Sequence, residues 1–152
     1  SCIMPDIDKL DKLFMDITNR IANMSHDNGT KVGAIIVKDG NILSMGYNGM
    51  PSGMSNNCKD EHGVTNKEVI HAEANAICKL AQSTSSSKGA TLYCTYSPCI
   101  ECAKLILQSG IERVIYANDY RDVNGRILLD DQIKIGKVQY AGSTSLYTGE
   151  DT

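Results

Sequence analysis

The chain has 152 residues, enough for one domain that buries most of its apolar surface. Its composition, 41% hydrophobic and 22% charged, is that of a globular protein, and its longest apolar runs, such as residues 32–37, are far too short to span a bilayer. A net charge of −3 offers no basic face for a polynucleotide, so neither a nucleic-acid polymer nor a membrane is an expected partner, whereas a small anion is allowed.

Residues 5–24 predict a helix. Leu10, Leu13, Phe14, Ile17, Ile21 and Met24 recur at spacings of three and four and form one apolar face, and Pro5 suits a first turn. The polar segment SHDNGT, residues 25–30, ends it. Residues 32–38 and 41–46 read as two strands joined at Asp39-Gly40, a strong hairpin signal. Residues 47–55 (YNGMPSGMS) form a loop rich in turn residues. The polar stretch 56–67 is long for a structureless loop and so requires a function or an internal tie.

Alanine-rich residues 71–82 predict a second helix, and the serine run 83–87 a surface connection. A strand at 91–95 follows, then a helix at 99–108 opened by Ser97-Pro98 and closed by Gly110. A strand at 113–117, a polar loop at 119–125, a short helix at 126–132 and a last strand at 137–141 complete the order. Two strands joined as a hairpin and then alternating strands and helices predict an α/β sandwich: a five-stranded mixed sheet between helical layers, one domain over residues 1–152.

Of the six cysteines, Cys99 and Cys102 form a C-x-x-C pair, while Cys78 and Cys94 read as small buried apolar residues. The first residues lack the basic and apolar segments of a secretory signal, so the expected compartment is the cytoplasm, where such a pair points to metal or redox chemistry. His71-Ala72-Glu73 opens one predicted helix and Pro98-Cys99-Ile100-Glu101-Cys102 opens another. Helices starting at one end of a sheet can aim their first residues at a common point. His71, Cys99 and Cys102 then supply the three donors of a catalytic zinc, which keeps its fourth position open to activate water. A positive helix N-terminus favours thiolates. Glu73, two residues past His71, is too close to share the metal comfortably and is placed to move protons as a general base and acid.

The strings VIHAEANAI (residues 69–77), LYCTYSPCIECAKLILQSG (92–110) and VGAIIVKDGNILSMGYNGMPSG (32–53) resemble the deoxycytidylate deaminase family, including its phage-encoded members, within the zinc-dependent cytidine deaminase superfamily. The resemblance runs from about residue 31 to residue 120. It implies the cytidine-deaminase-like three-layer α/β/α fold and hydrolysis of dCMP to dUMP and ammonia, which supplies dUMP for dTMP synthesis. It also implies a homo-oligomer, a hexamer by preference, activated by dCTP and inhibited by dTTP, and residence in a host's cytoplasm for a phage member. The GYNG loop, with Asn48 and Gly49, is implied to bind substrate or effector, and Tyr120 to contact substrate. Some relatives carry a second, structural zinc, and His26, Cys58, His62 and Glu68 fall near its ligand positions, with His26 where a Cys is expected. Arg121 is a phosphate candidate by charge, and Lys31 or Lys38 are candidate cations for a triphosphate. The same motifs serve other deaminases of the superfamily, free cytidine or deoxycytidine among their substrates, and a silent zinc-containing nucleotide sensor would keep the metal ligands without needing Glu73.

Overall fold

The computed structural model describes residues 7–139. Its elements are α1 (Lys9–Ala22), β1 (Gly33–Lys38), β2 (Asn41–Tyr47), α2 (Ala72–Ala81), β3 (Thr91–Tyr96), α3 (Ile100–Gln108), β4 (Arg113–Asn118), α4 (Asn124–Gln132) and β5 (Lys134–Lys137). The order of elements is the one expected from sequence. One sheet runs β2-β1-β3-β4-β5, antiparallel at β2-β1 and β1-β3, parallel at β3-β4 and β4-β5. The β1–β2 hairpin turns at Asp39 and Gly40, both at positive φ, the backbone that an Asp-Gly pair favours.

Alternation along the strands fills both faces. Ala34, Ile36, Leu92, Cys94 and Val114 pack against Ala72 and Ala76 of α2, Ala103 and Ile106 of α3 and Leu129 of α4. Ile35, Val37, Tyr93 and Ile115 point the other way, onto Phe14 and Met15 of α1. The result is an α/β/α sandwich in which, among the described residues, α1 is the one helix on its side. Gly46 shows how closely the layers approach: a Cβ there would lie 2.5 Å from the carbonyl oxygen of Ala72, so only glycine lets α2 sit on β2.

Several expectations change. Helix α1 begins at Lys9, where Asp8 and Asp11 form a capping box; Pro5 lies outside the described residues. Its buried face is Asp11, Phe14, Met15, Thr18, Asn19 and Ala22, rotated from the apolar stripe read in the sequence. Leu10, Leu13 and Met24 are exposed. The rotation follows from a buried charge cluster. The Asp11 carboxylate accepts from Tyr93 Oη at 2.6 Å and from both terminal nitrogens of Arg113 at 2.7 Å, which turns that side of the helix to the sheet. The last strand lies at Lys134–Lys137 rather than 137–141, because its parallel register with β4 pairs Lys134 with Arg113 and Lys137 with Tyr116; residues 140 and 141 lie outside the described residues. Cys94 is buried as expected, but Cys78 is exposed on the outer side of α2.

The long 56–67 loop has its internal tie. Lys59 and Thr65 form an isolated β-bridge, the Asn66 N–H donates to the Cys58 carbonyl, and the Asp60 carboxylate accepts from the N–H groups of His62 and Val64.

Candidate active site

Strands β3 and β4 run parallel, and the segments leaving their C-terminal ends meet the start of α2, where α/β sheets usually bind ligands. His71 is the N-cap residue of α2 and Cys99 that of α3. The imidazole Nδ1 lies 3.5 Å from Cys99 Sγ and 3.5 Å from Cys102 Sγ. Among the described residues this is the one group of three His, Cys, Asp or Glu side chains whose donor atoms all lie within 4.8 Å of one another. Zinc–sulfur and zinc–nitrogen bonds of about 2.3 and 2.1 Å in a tetrahedron set donor separations of roughly 3.4–3.8 Å. The spacing and softness of these donors therefore fit a zinc ion. Three donors leave the fourth position to a reactant.

The protonation of the group suits a cation. The Cys102 hydrogen bond and then the imidazole push the Cys99 thiol down to about 4. Cys102, donating to Cys99 and more deeply buried, is held well above the ordinary thiol range in the metal-free group. Cys99 in turn raises the pKa of His71, against its desolvation. A dication between the sulfurs would release the proton that Cys102 keeps. Gly125 of α4 abuts this loop, and a Cβ there would overlap the carbonyl oxygens of Pro98 and Cys99.

Glu73 sits in the first turn of α2 and is buried. Burial pushes its carboxyl up to about 7, partly offset by its own backbone N–H. A carboxyl poised near neutrality can both take and give a proton.

A cavity of about 390 Å³ opens over this group. Its wall includes His71, Glu73, Cys99, Asn48, Tyr120 and Arg121, so most of the expected substrate residues share one space. Asn48 is tied into the protein where it lines the cavity. Its Oδ1 accepts from the Val32 N–H at 2.9 Å, and its Nδ2 donates to the Thr30 carbonyl at 3.0 Å and to Asp27 at 3.4 Å. These bonds brace Asn48 in the cavity wall. Gly49 faces away from this cavity: it exchanges two backbone hydrogen bonds with Ile70 and lines a second cavity of about 350 Å³ with His26, Tyr47 and Lys79. The Tyr120 N–H is fixed by Ser97 Oγ at 2.8 Å, and the Arg121 guanidinium stands over the Tyr120 ring.

The four residues suggested for a second metal are not brought together. The Cys58 thiol is buried and turned to the Asn56 carbonyl, exposed His62 stands beside Glu61, His26 lines the second cavity, and Glu68 is exposed. The loop they were to tie is held by its own hydrogen bonds. Lys38 lies at the opposite end of β1 from the cavity, which excludes it as a cation there, and Lys31 is exposed.

Lys59 was not singled out from sequence. Its ammonium lines the cavity, paired with buried Asp27 at 3.3 Å and donating to Thr65 Oγ1 at 2.9 Å. One Lys in a polar loop gives no signal by pattern. Asp27 had a faint one, an Asx turn onto the Gly29 N–H within SHDNGT.

Known proteins resemble this chain in sequence and in fold. The family model of the cytidine and deoxycytidylate deaminase zinc-binding region matches residues 8–118. Deoxycytidylate deaminase of Enterobacteria phage T4 is 37% identical over an alignment covering 59% of this chain and 68% of that protein. The enzyme of the same name from Mycobacterium phage D29 is 37% identical, covering 72% of this chain and 94% of its own. The crystal structure of the dCMP deaminase of cyanophage S-TIM5 with dCMP and dUMP superposes with a TM-score of 0.85 at 40% identity, covering 88% of this chain and all of that one.

Proposed function

The chain belongs to the cytidine and deoxycytidylate deaminase family, and we propose that it is a phage-type, zinc-dependent dCMP deaminase, converting dCMP and water to dUMP and ammonia. The observation that carries this reading is the three-donor group set beside buried Glu73 in a cavity that also holds cations. Zinc, when bound, supplies the Lewis acidity that makes water a nucleophile near neutral pH.

The chain's own residues do the rest. His71 Nδ1 and the sulfurs of Cys99 and Cys102 would hold the ion. The Glu73 carboxylate takes a proton from the attacking water, delivers it to N3 of the pyrimidine, and passes the second proton to the departing amine at C4. Its burial keeps the proton in transit off bulk water. Tyr120, fixed through Ser97, bounds the base, while Lys59 and Arg121 are the cations that distinguish a 5′-monophosphate from a free nucleoside. We assign one zinc per chain and one deaminase domain over residues 1–152.

The regulatory part of the reading rests on the second cavity. Gly49 and Lys79 belong to its wall, and Ile70, which pairs with Gly49, precedes His71. We place dCTP, as activator, and dTTP, as inhibitor, in this cavity, and take the chain to be a cytoplasmic homo-oligomer, a hexamer by preference. Among the described residues no helix is long and apolar enough to cross a membrane.

Turnover of dCMP, deoxycytidine and cytidine by the zinc-loaded protein tests the substrate. Release of ammonia from dCMP at a kcat/KM at least a hundredfold above the nucleosides is expected; preference for a nucleoside would refute it. Rate curves that stay flat in dCTP and dTTP would remove the effector cavity and leave the substrate reading intact.

A further inference from the structure

Helix α1 carries an apolar stripe that the monomer covers only in part. Leu10 is 54% exposed, Leu13 49% and Met24 61%, while Ile17 and Ile21 between them are half-buried, one side packed against the core and the other open. The stripe continues onto the sheet. The edge strand β2, in contact with α1, leaves Ile42 and Met45 exposed; their partners Val37 and Ile35 point to the α1 side, so this is one surface. An apolar surface of this extent on a soluble chain marks a docking site.

The spacing identifies the occupant. The residues fall at 10, 13, 17, 21 and 24, intervals of three, four, four and three, so the stripe reads the same from either end about Ile17. Laid antiparallel against a second copy across a two-fold axis at Ile17, it sets Leu10 against Met24, Leu13 against Ile21 and Ile17 against itself. Every apolar residue then meets an apolar one, as an isologous interface requires.

The flanking charges agree. Asp16 and Arg20 border the same edge of the stripe, and the two-fold keeps that edge on one side of the interface in both copies. In this register Arg20 of one copy falls within two residues, about 3 Å along the axis, of Asp16 in the other. Two opposite-charge pairs close that edge.

We propose that this face of α1, with Ile42 and Met45 beside it, is the surface on which a second copy of this chain docks. The proposal deepens the homo-oligomer reading and rests on it, but not on the choice of substrate.

Sedimentation of the full zinc-loaded chain tests both. The wild type should sediment at a whole multiple, two or more, of 16.5 kDa. Leu13→Glu, at an exposed position, should keep the wild-type circular dichroism spectrum and fall to a smaller species. Asp16→Lys should weaken association at least tenfold, and adding Arg20→Glu should recover it by restoring opposite signs. With Cys2 and Cys78 replaced by serine, Ile17→Cys should cross-link two chains under mild oxidation. A monomeric wild type would end the homo-oligomer reading and this proposal together. An oligomer that Leu13→Glu leaves unchanged, or one without the Ile17→Cys cross-link, would overturn the α1 surface alone.

Discussion

Two buried carboxylates sit on opposite faces of one sheet and have been given opposite characters. Asp11, on α1, is desolvated, but hydrogen bonds from Arg113 and Tyr93 outweigh that cost and hold its pKa below the ordinary range. Glu73, on α2, is desolvated without an ion pair, and its pKa rises to about 7. Asp11 stays charged at neutral pH and serves as an anchor. Glu73 is raised toward neutrality in the metal-free group and is the residue proposed to serve the chemistry. Burial is common to both; the difference is whether a neighbouring element brings a fixed cation.

The contrast predicts that breaking the catalytic side abolishes activity and breaking the anchor side lowers stability. The largest effect belongs to the donor group. His71→Ala or Cys102→Ser should remove the metal, measured by elemental analysis as a fall from one zinc per chain, and reduce deamination to background. Retained zinc in either variant would exclude that residue as a ligand.

Next is Glu73→Gln. Zinc content and the circular dichroism spectrum should stay as in the wild type while kcat falls by about 10²–10⁴-fold, the range for loss of a general acid–base. An unchanged kcat would take Glu73 out of the mechanism.

On the anchor side, Arg113→Met removes the cation that faces the buried Asp11 carboxylate. Urea unfolding should show a loss of roughly 3 kcal/mol, the scale for removing one partner of a buried pair. In the zinc-loaded enzyme kcat should move less than twofold.

The smallest effect is in pH. Because the folded Asp11 pKa lies below its unfolded value near 3.8, the anchor's contribution is complete above that value and lost as pH falls through the folded one. Between about pH 5 and pH 2 the wild type should lose more stability than Asp11→Asn, which has no such group to protonate. Parallel curves would mean that the cluster is not held by its charge.

The expected dimer of surfaces on α1 sharpens the same comparison. Turning Asp11 inward is what leaves Leu10, Leu13 and Met24 outside. A periodicity plot counts apolar residues and therefore set the face too far toward Leu10, Leu13 and Met24, although Phe14 is buried and Ile17 and Ile21 do pack on the core. The face actually buried is selected by an ion pair whose members are about a hundred positions apart in sequence.

Sequence alone determined what depends on near neighbours. The Asp39-Gly40 turn, the order of elements and the two helix starts bearing His71 and Cys99 were legible, because turn chemistry and helix initiation act over a few residues. The candidate donors His71, Cys99 and Cys102 were legible because the two motifs that carry them each open a predicted helix. Tertiary structure decided the rest: that Asn48 is braced in the cavity wall, that Gly49 faces a second cavity, that His26, Cys58, His62 and Glu68 stay apart, and that Lys59 reaches the active site. Each of these depends on hydrogen bonds and charge pairs between segments distant along the chain. Such pairs leave no periodic trace, so only the folded packing of layers selects them.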